Sequence, residues 1–390
     1  MPVLNRIADF HPDMTAWRRD LHAHPEIGLK EHRTAATVAS LLREFGIDEV
    51  HTGIAQTGVV GVIRGSEPGD AIGLRADMDA LPIVEASGQP HASQVPGVMH
   101  ACGHDGHTTM LLGAARYLAE TRNFAGTAYV IFQPAEENAG GGEMMVQEGL
   151  FERFPMRQVF GMHNWPGVPA GTFRWRDGPA MAAVATIEID ITGKGAHGAQ
   201  PHLSTDPIVI AAAIVQALQS VVARNVSPVK GGVVTIGSIH GGNAHNVIPE
   251  TVSMLGTARW FDPAVADTIE QSVVRLATGI AESFGATAVT RFERIYPATV
   301  NDPEAMAMAR SAAASVVGAS RVEEMEAPTM GGEDFSFMLN AKQGAYIMLG
   351  TGRGPDDPGL HHPRYDFNDD MLPTGASFWA TLVEQQLPRA

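Results

Sequence analysis

The sequence predicts an α/β fold in two parts: a larger domain with a mostly parallel sheet, and a smaller α+β domain of ferredoxin-like order inserted into it. Three observations carry that expectation. Over residues 1–180, short and nearly continuous apolar runs alternate with helical stretches, the pattern of strands buried on both faces. After Pro179 the runs alternate apolar with polar residues, as half-exposed strands do, in the order βαββαβ across 181–295. From Pro297 an apolar strand and further helices return, so 296–390 is expected to complete the first domain.

Apolar residues recur at helical spacing from Asp13 to Leu21 and from Glu31 to Phe45, where Gly46 is placed to end the second helix. Strands are expected around Val59–Ile63, Ala71–Leu74, Ala128–Phe132 and Val159–Met162, with a helix from about Thr108 to Glu120 between the pairs. Ligands of such sheets lie beyond the carboxyl ends of the strands. In the middle segment Val184–Ile191, Val233–Ile239, Thr251–Phe261 and Ala286–Phe292 read as strands, and Pro207–Ala223 and Pro263–Phe284 as helices. The last segment offers a helix, a Gly-rich loop, the strand Ala345–Leu349 and a final helix from about Thr374.

A chain of 390 residues with 44% hydrophobic content can bury a sizeable core. Its formal net charge of −16 argues against nucleic acid or an anionic membrane as partner, since both demand a positive surface. The single cysteine, Cys102, excludes an internal disulfide and suits a reducing, cytoplasmic setting. Met1-Pro2-Val3-Leu4-Asn5-Arg6 shows no apolar stretch with a cleavage site, so export is not expected. The longest apolar region, Ile208 to Val226, is interrupted by Gln216, Gln219, Ser220 and Arg224 and reads as a buried helix of a soluble protein.

Four segments concentrate side chains able to hold a metal. Met99-His100-Ala101-Cys102-Gly103-His104-Asp105-Gly106-His107 puts a thiol, three imidazoles and a carboxylate into what reads as a Gly-containing turn before a helix; such donors suit zinc, manganese or nickel. Glu136 and Glu137 follow directly on the strand ending at Phe132. Adjacent carboxylates point apart, so one can bind a metal while its neighbour acts on water. A Glu-Glu pair alone is usually a solvated surface feature, but a strand's carboxyl end is where a ligand is expected. His163 closes another apolar run, and His361-His362-Pro363 follows the Tyr346 strand. Asp77 and Asp79 close the Ile72 strand at alternate positions, suited to orienting metal ligands, with capping and turn formation as the plainer use of either.

Taken in order, the segments Arg18–Glu26, Arg75–Pro82, His100–His107, Pro134–Glu137, Gly193–His197, Asn246–Pro249, Gly256–Arg259, Gly331–Phe335 and His361–Pro363 resemble the M20 metallopeptidases. The nearest branch is that of hippurate hydrolases, N-acyl-amino-acid amidohydrolases and auxin-conjugate hydrolases. The resemblance implies a di-metal catalytic domain with an inserted dimerisation and lid domain. It implies Cys102, His104, Glu137, His163 and His361 as metal ligands and Glu136 as general base, in agreement with the reading of the four segments. Much of the wider superfamily has His-x-Asp where this chain has Asp77-Met78-Asp79, so the roles of these two stay open, with Asp79 kept as a catalytic candidate. His361, rather than His362, takes the ligand position.

The resemblance further implies that His197 reaches the active site of a partner subunit and stabilises a developing oxyanion, and that Arg259 and Asn246 recognise a substrate carboxylate. The implied cofactors are two divalent ions per subunit, drawn from zinc, manganese, nickel or cobalt. The implied substrate is a small N-acyl amino acid, and the assembly a homodimer or homotetramer. The competing readings are a dipeptidase or carboxypeptidase of the same family, and a non-catalytic ligand-binding protein that kept the fold.

Overall fold

In the computed structural model, which describes residues 3–390, five α-helices carry proline in their first turn, where its missing N–H costs no hydrogen bond. Three of these start from an aspartate cap. The side chains of Asp206, Asp262 and Asp302 accept from the backbone N–H groups of Ile208, Ala264 and, for the last, both Glu304 and Ala305. These Asp-Pro pairs fix where the helices begin.

The chain divides into two units. One comprises the residues up to Ala180 together with Thr299–Pro328 and Asp334–Ala390; the other comprises Met181–Ala298 and Thr329–Glu333. The short return of 329–333 joins the second unit through hydrogen bonds from the Ala182 N–H to the carbonyls of Thr329 and Gly331, 3.1 and 2.9 Å.

The first unit is built on an eight-stranded sheet. From one edge the strands are Glu49–Ile54, Gly58–Arg64, Ala125–Gln133, Glu67–Asp77, Gln158–Pro169, Gly344–Gly352, Phe173–Trp175 and Val322–Glu324. The four from Ala125–Gln133 to Gly344–Gly352 are mutually parallel, and the first two are antiparallel additions. The sheet is therefore mixed, with four parallel strands at the centre and a further parallel pair, Phe173–Trp175 with Val322–Glu324, at the other edge. The long helix His104–Thr121 and the last helix, Leu372–Gln386, pack together over it, with Met110, Leu111, Phe132, Phe160 and Trp379 in one buried core. The aromatic-rich, nearly continuous apolar strands of the sequence are the ones buried on both faces.

The second unit has a four-stranded antiparallel sheet in the order Gly232–His240, Thr251–Trp260, Ala183–Thr192, Thr287–Tyr296. With helices Pro207–Ser220 and Pro263–Ser283 this is the ferredoxin-like βαββαβ arrangement. It has its own core, centred on Ile187, Ile189, Ile214, Ile269 and Val273. The apolar segment 207–225 is long and apolar enough by composition to cross a membrane. The helix expected here is buried along one face and exposed along the other. Ile210, Ala211, Ile214 and Leu218 face the core, while Ile208 and Val209 are 47% and 53% exposed. Periodicity explains this, since four core contacts at helical spacing satisfy one stripe only.

Beneath the His104–Thr121 helix lies a buried ionic network. The Arg18 guanidinium contacts Asp366 at 2.9 Å and Asp369 at 2.6 Å, and His22 sits between Asp105 at 2.8 Å and Glu85 at 3.3 Å. Burial alone would lower the His22 imidazole, but its hydrogen bond to Asp105, the Asp105 charge and Glu85 reverse this and raise it to about 9. Burial likewise opposes the Glu85 charge, yet His22, Ser87 and the Ser93 N–H bring that carboxyl down to about 2. Each group thus favours the folded state only while charged. The His22 contribution is complete below its ordinary 6.5 and lost as pH rises through about 9; that of Glu85 is complete above 4.5 and lost as pH falls through about 2. Thermal melts followed by circular dichroism should show a midpoint that falls by several degrees between pH 6.5 and 9, and His22→Gln should flatten that alkaline slope whatever its effect on the midpoint itself. Equal slopes in the two proteins would remove His22 from the network's account.

Candidate functional site

Three strands of the first unit deliver the candidate residues. Glu67–Asp77 ends at Asp77, and Ala125–Gln133 ends three residues before Glu136. Gln158–Pro169 runs on past His163, which pairs with Met348 of the neighbouring parallel strand. The strand therefore does not stop at His163 as its apolar run suggested. His104 also departs from expectation: it is the first residue of the helix His104–Thr121, not part of a preceding turn. Gly103, at φ +93°, makes the sharp entry, and a Cβ there would meet the Asn164 side chain at 2.4 Å and the Tyr365 hydroxyl at 2.6 Å. Only glycine fits both the conformation and the space.

Ligand-capable atoms of Cys102, His104 and His163 lie within 4.8 Å of one another, as do those of Cys102, Glu137 and His361, and those of His104, Glu136 and Glu137. The Cys102 Sγ to His163 Nε2 distance is 3.4 Å, and His361 Nε2 stands 3.3 Å from Glu137 Oε1. The Tyr346 strand and its following loop bring in His361 at φ +61°, its N–H held by the Ala101 carbonyl at 2.8 Å. His362 turns elsewhere, its Nδ1 accepting from the Arg364 N–H at 3.1 Å.

Two atoms test whether this group suits a cation. His104 Nε2 and Glu137 Oε1 are both buried without a hydrogen-bond partner, 3.9 Å apart. Buried polar atoms are normally satisfied, and a divalent ion would satisfy both. Charge points the same way. Burial and the carboxylates of Glu137, Glu136 and Asp77 push the Cys102 thiol well above its ordinary range. Burial opposes a charged His104, but Asp77, Asp79 and Glu137 outweigh it and raise that imidazole to about 10. The cluster draws positive charge, which a metal supplies in place of a proton. His163 is pushed well below its ordinary value by burial and by His107, leaving it neutral, the form that ligates.

Asp79 acts on two of these side chains at once. Its carboxylate lies 3.2 Å from His104 Nδ1 and accepts the Glu137 N–H at 2.9 Å, and its carbonyl is 2.9 Å from the same His104 nitrogen. Asp77 instead faces His107 at 2.6 Å and Arg75 at 2.7 Å. His107 reaches the Asn164 side chain at 2.6 Å, and Asn164 donates to the Tyr365 hydroxyl at 2.7 Å. Arg75 also holds Asp334 at 3.0 Å and Gln133 at 2.8 Å. Asp334, part of the Gly-rich loop Gly331–Phe335, thus spends its carboxylate on this buried cage. Asn164, Tyr365 and Gln133 were not singled out by the sequence; Asn164 and Gln133 adjoin candidates, but nothing near Tyr365 in the sequence signals its contact.

The other three candidates belong to the second unit. His197 pairs with Val247 in a short two-stranded ribbon and its Nδ1 accepts from the Ala199 N–H at 3.1 Å. The Asn246 carbonyl accepts from the Gly198 N–H at 2.7 Å. Arg259, on Thr251–Trp260, is half-buried, and burial lowers its pKa. It donates to the Thr257 hydroxyl and to the Ala258 carbonyl at 3.2 Å.

Paired carboxylates beside thiol and imidazole donors, on a mixed sheet with a parallel centre, in a chain that also carries a ferredoxin-like second unit, define a metal-binding amide hydrolase. The chain belongs to peptidase family M20/M25/M40, whose pattern matches residues 73–385. It is 39% identical over 387 residues to a hippurate hydrolase of Campylobacter jejuni, covering 99% of this chain and 100% of that one. It is 38% identical over 375 residues to an N-acetylcysteine deacetylase of Bacillus subtilis, covering 96% and 97%. Among solved structures it resembles the Bacillus subtilis YXEP protein, a dinuclear metal binding peptidase from the M20 family, with a TM-score of 0.82, 35% identity and coverage of 97% and 99%.

Proposed function

We propose that this chain hydrolyses the amide bond of N-acyl amino acids, with Cys102, His104, Glu137, His163 and His361 holding two divalent ions and Glu136 as general base. The observation that carries it is the convergence of the unsatisfied His104 Nε2 and Glu137 Oε1 beside the buried Glu136. When bound, such ions supply Lewis acidity to the substrate carbonyl and make a water more acidic. Glu136 takes the proton of that water and delivers it to the leaving nitrogen. Asp79 fixes the ring of His104 and the peptide of Glu137. One thiolate among imidazoles and carboxylates fits zinc, manganese, nickel or cobalt.

Recognition of the amino-acid part falls to Arg259, with Asn246 beside it in role. Support comes from the absence of any ion pair to Arg259 among the described residues: a half-buried guanidinium without a carboxylate partner suits one brought by substrate. His197, exposed on its ribbon, serves as the oxyanion donor, acting across a homodimer or homotetramer in the cytoplasm. The N-acyl activities named for the two relatives above favour a blocked amino group over a free one.

The deciding assay compares N-benzoylglycine and N-acetyl-methionine with a panel of dipeptides bearing free amino ends. A larger kcat/KM on the blocked substrates is expected. A consistent preference for free amino groups would replace the proposal with the dipeptidase reading. Light scattering during turnover, with His197→Ala mixed into an Arg259→Ala preparation, tests the shared site: restored activity in the mixed oligomer is expected, and none would confine each residue to its own subunit.

A further inference from the structure

The segment that carries Glu136 and Glu137 is bent at a residue ill-suited to the bend. Ala135 has φ +53°, in the left-handed region that disfavours any side chain with a Cβ. Its carbonyl is held within the segment, by the Gly141 N–H at 3.1 Å, and its N–H from outside it. The Ala135 N–H donates to Glu31 Oε1 at 2.8 Å, and the other oxygen of Glu31 takes the Thr57 hydroxyl at 2.7 Å. Glu31 is wholly buried, an expensive place for a carboxylate unless its bonds are needed.

Glu31 stands at the N-cap of the helix His32–Glu44 but does not cap it. That work falls to Glu26, whose carboxylate accepts from the N–H groups of Arg33 at 3.1 Å and Thr34 at 2.8 Å. Two acidic residues thus divide the task, and Glu31 is left to reach Ala135. The fit is close: a Cβ on Gly28 would come within 2.9 Å of both Cα and Cβ of Ala135, and one on Gly141 within 1.8 Å of the Pro134 carbonyl. Two residues on, the Glu137 N–H is held by Asp79 at 2.9 Å. Glu136 is therefore the residue between two pinned peptide N–H groups.

We propose that Glu31 is a positioning residue for the reaction, holding Ala135 in its left-handed turn so that Glu136 and Glu137 present their carboxylates where the base and the ligand are needed. This rests on the roles given to Glu136 and Glu137 above. Without the Glu31 carboxylate the Ala135 peptide relaxes toward negative φ and displaces both neighbours.

Four variants test it: Glu31→Ala, Glu31→Gln, Glu31→Asp and Glu31→Ala combined with Ala135→Gly. Amide hydrogen exchange over residues 135–138 should accelerate in Glu31→Ala and stay protected in Glu31→Gln, which keeps an acceptor. Affinity for Zn²⁺, measured by chelator competition, should fall about tenfold in Glu31→Ala, and kcat about 100-fold with KM changed far less. Because glycine enters the left-handed turn without a tether, adding Ala135→Gly should restore about tenfold of the lost kcat. If Glu31→Ala does not fold, Glu31→Asp, one methylene too short, carries the same three readouts. Unchanged exchange and Zn²⁺ affinity in a folded Glu31→Ala would overturn the proposal. So would equal losses in Glu31→Gln with no recovery from Ala135→Gly, since these would mark a general structural role. Exchange and affinity do not depend on turnover, so a wild-type protein inactive on acylated amino acids would defeat the substrate reading and leave this one decided by its own data.

Discussion

Glu136→Ala should lower kcat on N-benzoylglycine by about 10³-fold, within the range that positioned acid–base groups contribute, while the metal content of the purified protein stays at the wild-type value. The two halves of this result come from different atoms. Cys102, His104 and His163 form one ligand-capable group and Cys102, Glu137 and His361 another, and Glu136 enters neither; it groups with His104 and Glu137, and separately with Glu333 and Asp334. Its removal leaves the first two groups whole. Glu137→Ala should behave differently, losing turnover and metal together, because Glu137 Oε1 faces both His104 at 3.9 Å and His361 at 3.3 Å. Metal analysis by atomic emission beside initial rates separates the two. Loss of metal in Glu136→Ala would make Glu136 a ligand and send the search for a base elsewhere. Retained turnover would dismiss it from proton transfer.

The sequence exposed the donors of this site more fully than their supports. Cys102 is the single cysteine and lies with His104 in one His-rich segment, while Glu137 and His163 stand close after apolar runs, and these properties survive in a linear reading. The ferredoxin-like order of the second unit was equally legible, because alternation along Ala183–Thr192 and the helical stripe of Pro263–Ser283 are local patterns. What stayed hidden depends on contacts distant in sequence. The helix was expected to begin near Thr108, yet it starts at His104, since the polar His-Asp-Gly-His run is buried by Asn164, Tyr365 and Phe367 and is not left to water as a turn would be. Asp334 read only as part of a Gly-rich loop because its partner Arg75 is 259 residues away in the chain. Glu31 read as the start of an ordinary helix, and only the fold reveals that Glu26 relieves it of that task.

Chelation should abolish activity, and the protein so obtained should take its metal back with an affinity that climbs steeply with pH. In the metal-free site two of the ligands carry protons at neutrality. Burial and the surrounding carboxylates keep the Cys102 thiol protonated well above its ordinary range, and Asp77, Asp79 and Glu137 overcome burial to hold a proton on His104 up to about 10. Both protons must leave before those atoms can ligate. His163 contributes none, being already neutral. Binding should therefore release about two protons between pH 6.5 and 8.5, so the logarithm of the apparent Zn²⁺ affinity should rise by about two for each pH unit. The direction follows from mass action: acid supplies the protons that compete with the ion, and metal is shed as pH falls. Titration calorimetry in buffers of differing ionisation enthalpy counts these protons directly, with chelator competition at several pH values as a second measure. Cys102→Ser should reduce the count by about one, because a serine hydroxyl binds as the neutral group it already is, and should weaken affinity most at high pH. A slope near zero in the wild-type protein would mean that the thiol and His104 are already deprotonated without metal, and that the charge drawn to this cluster is held by some other group.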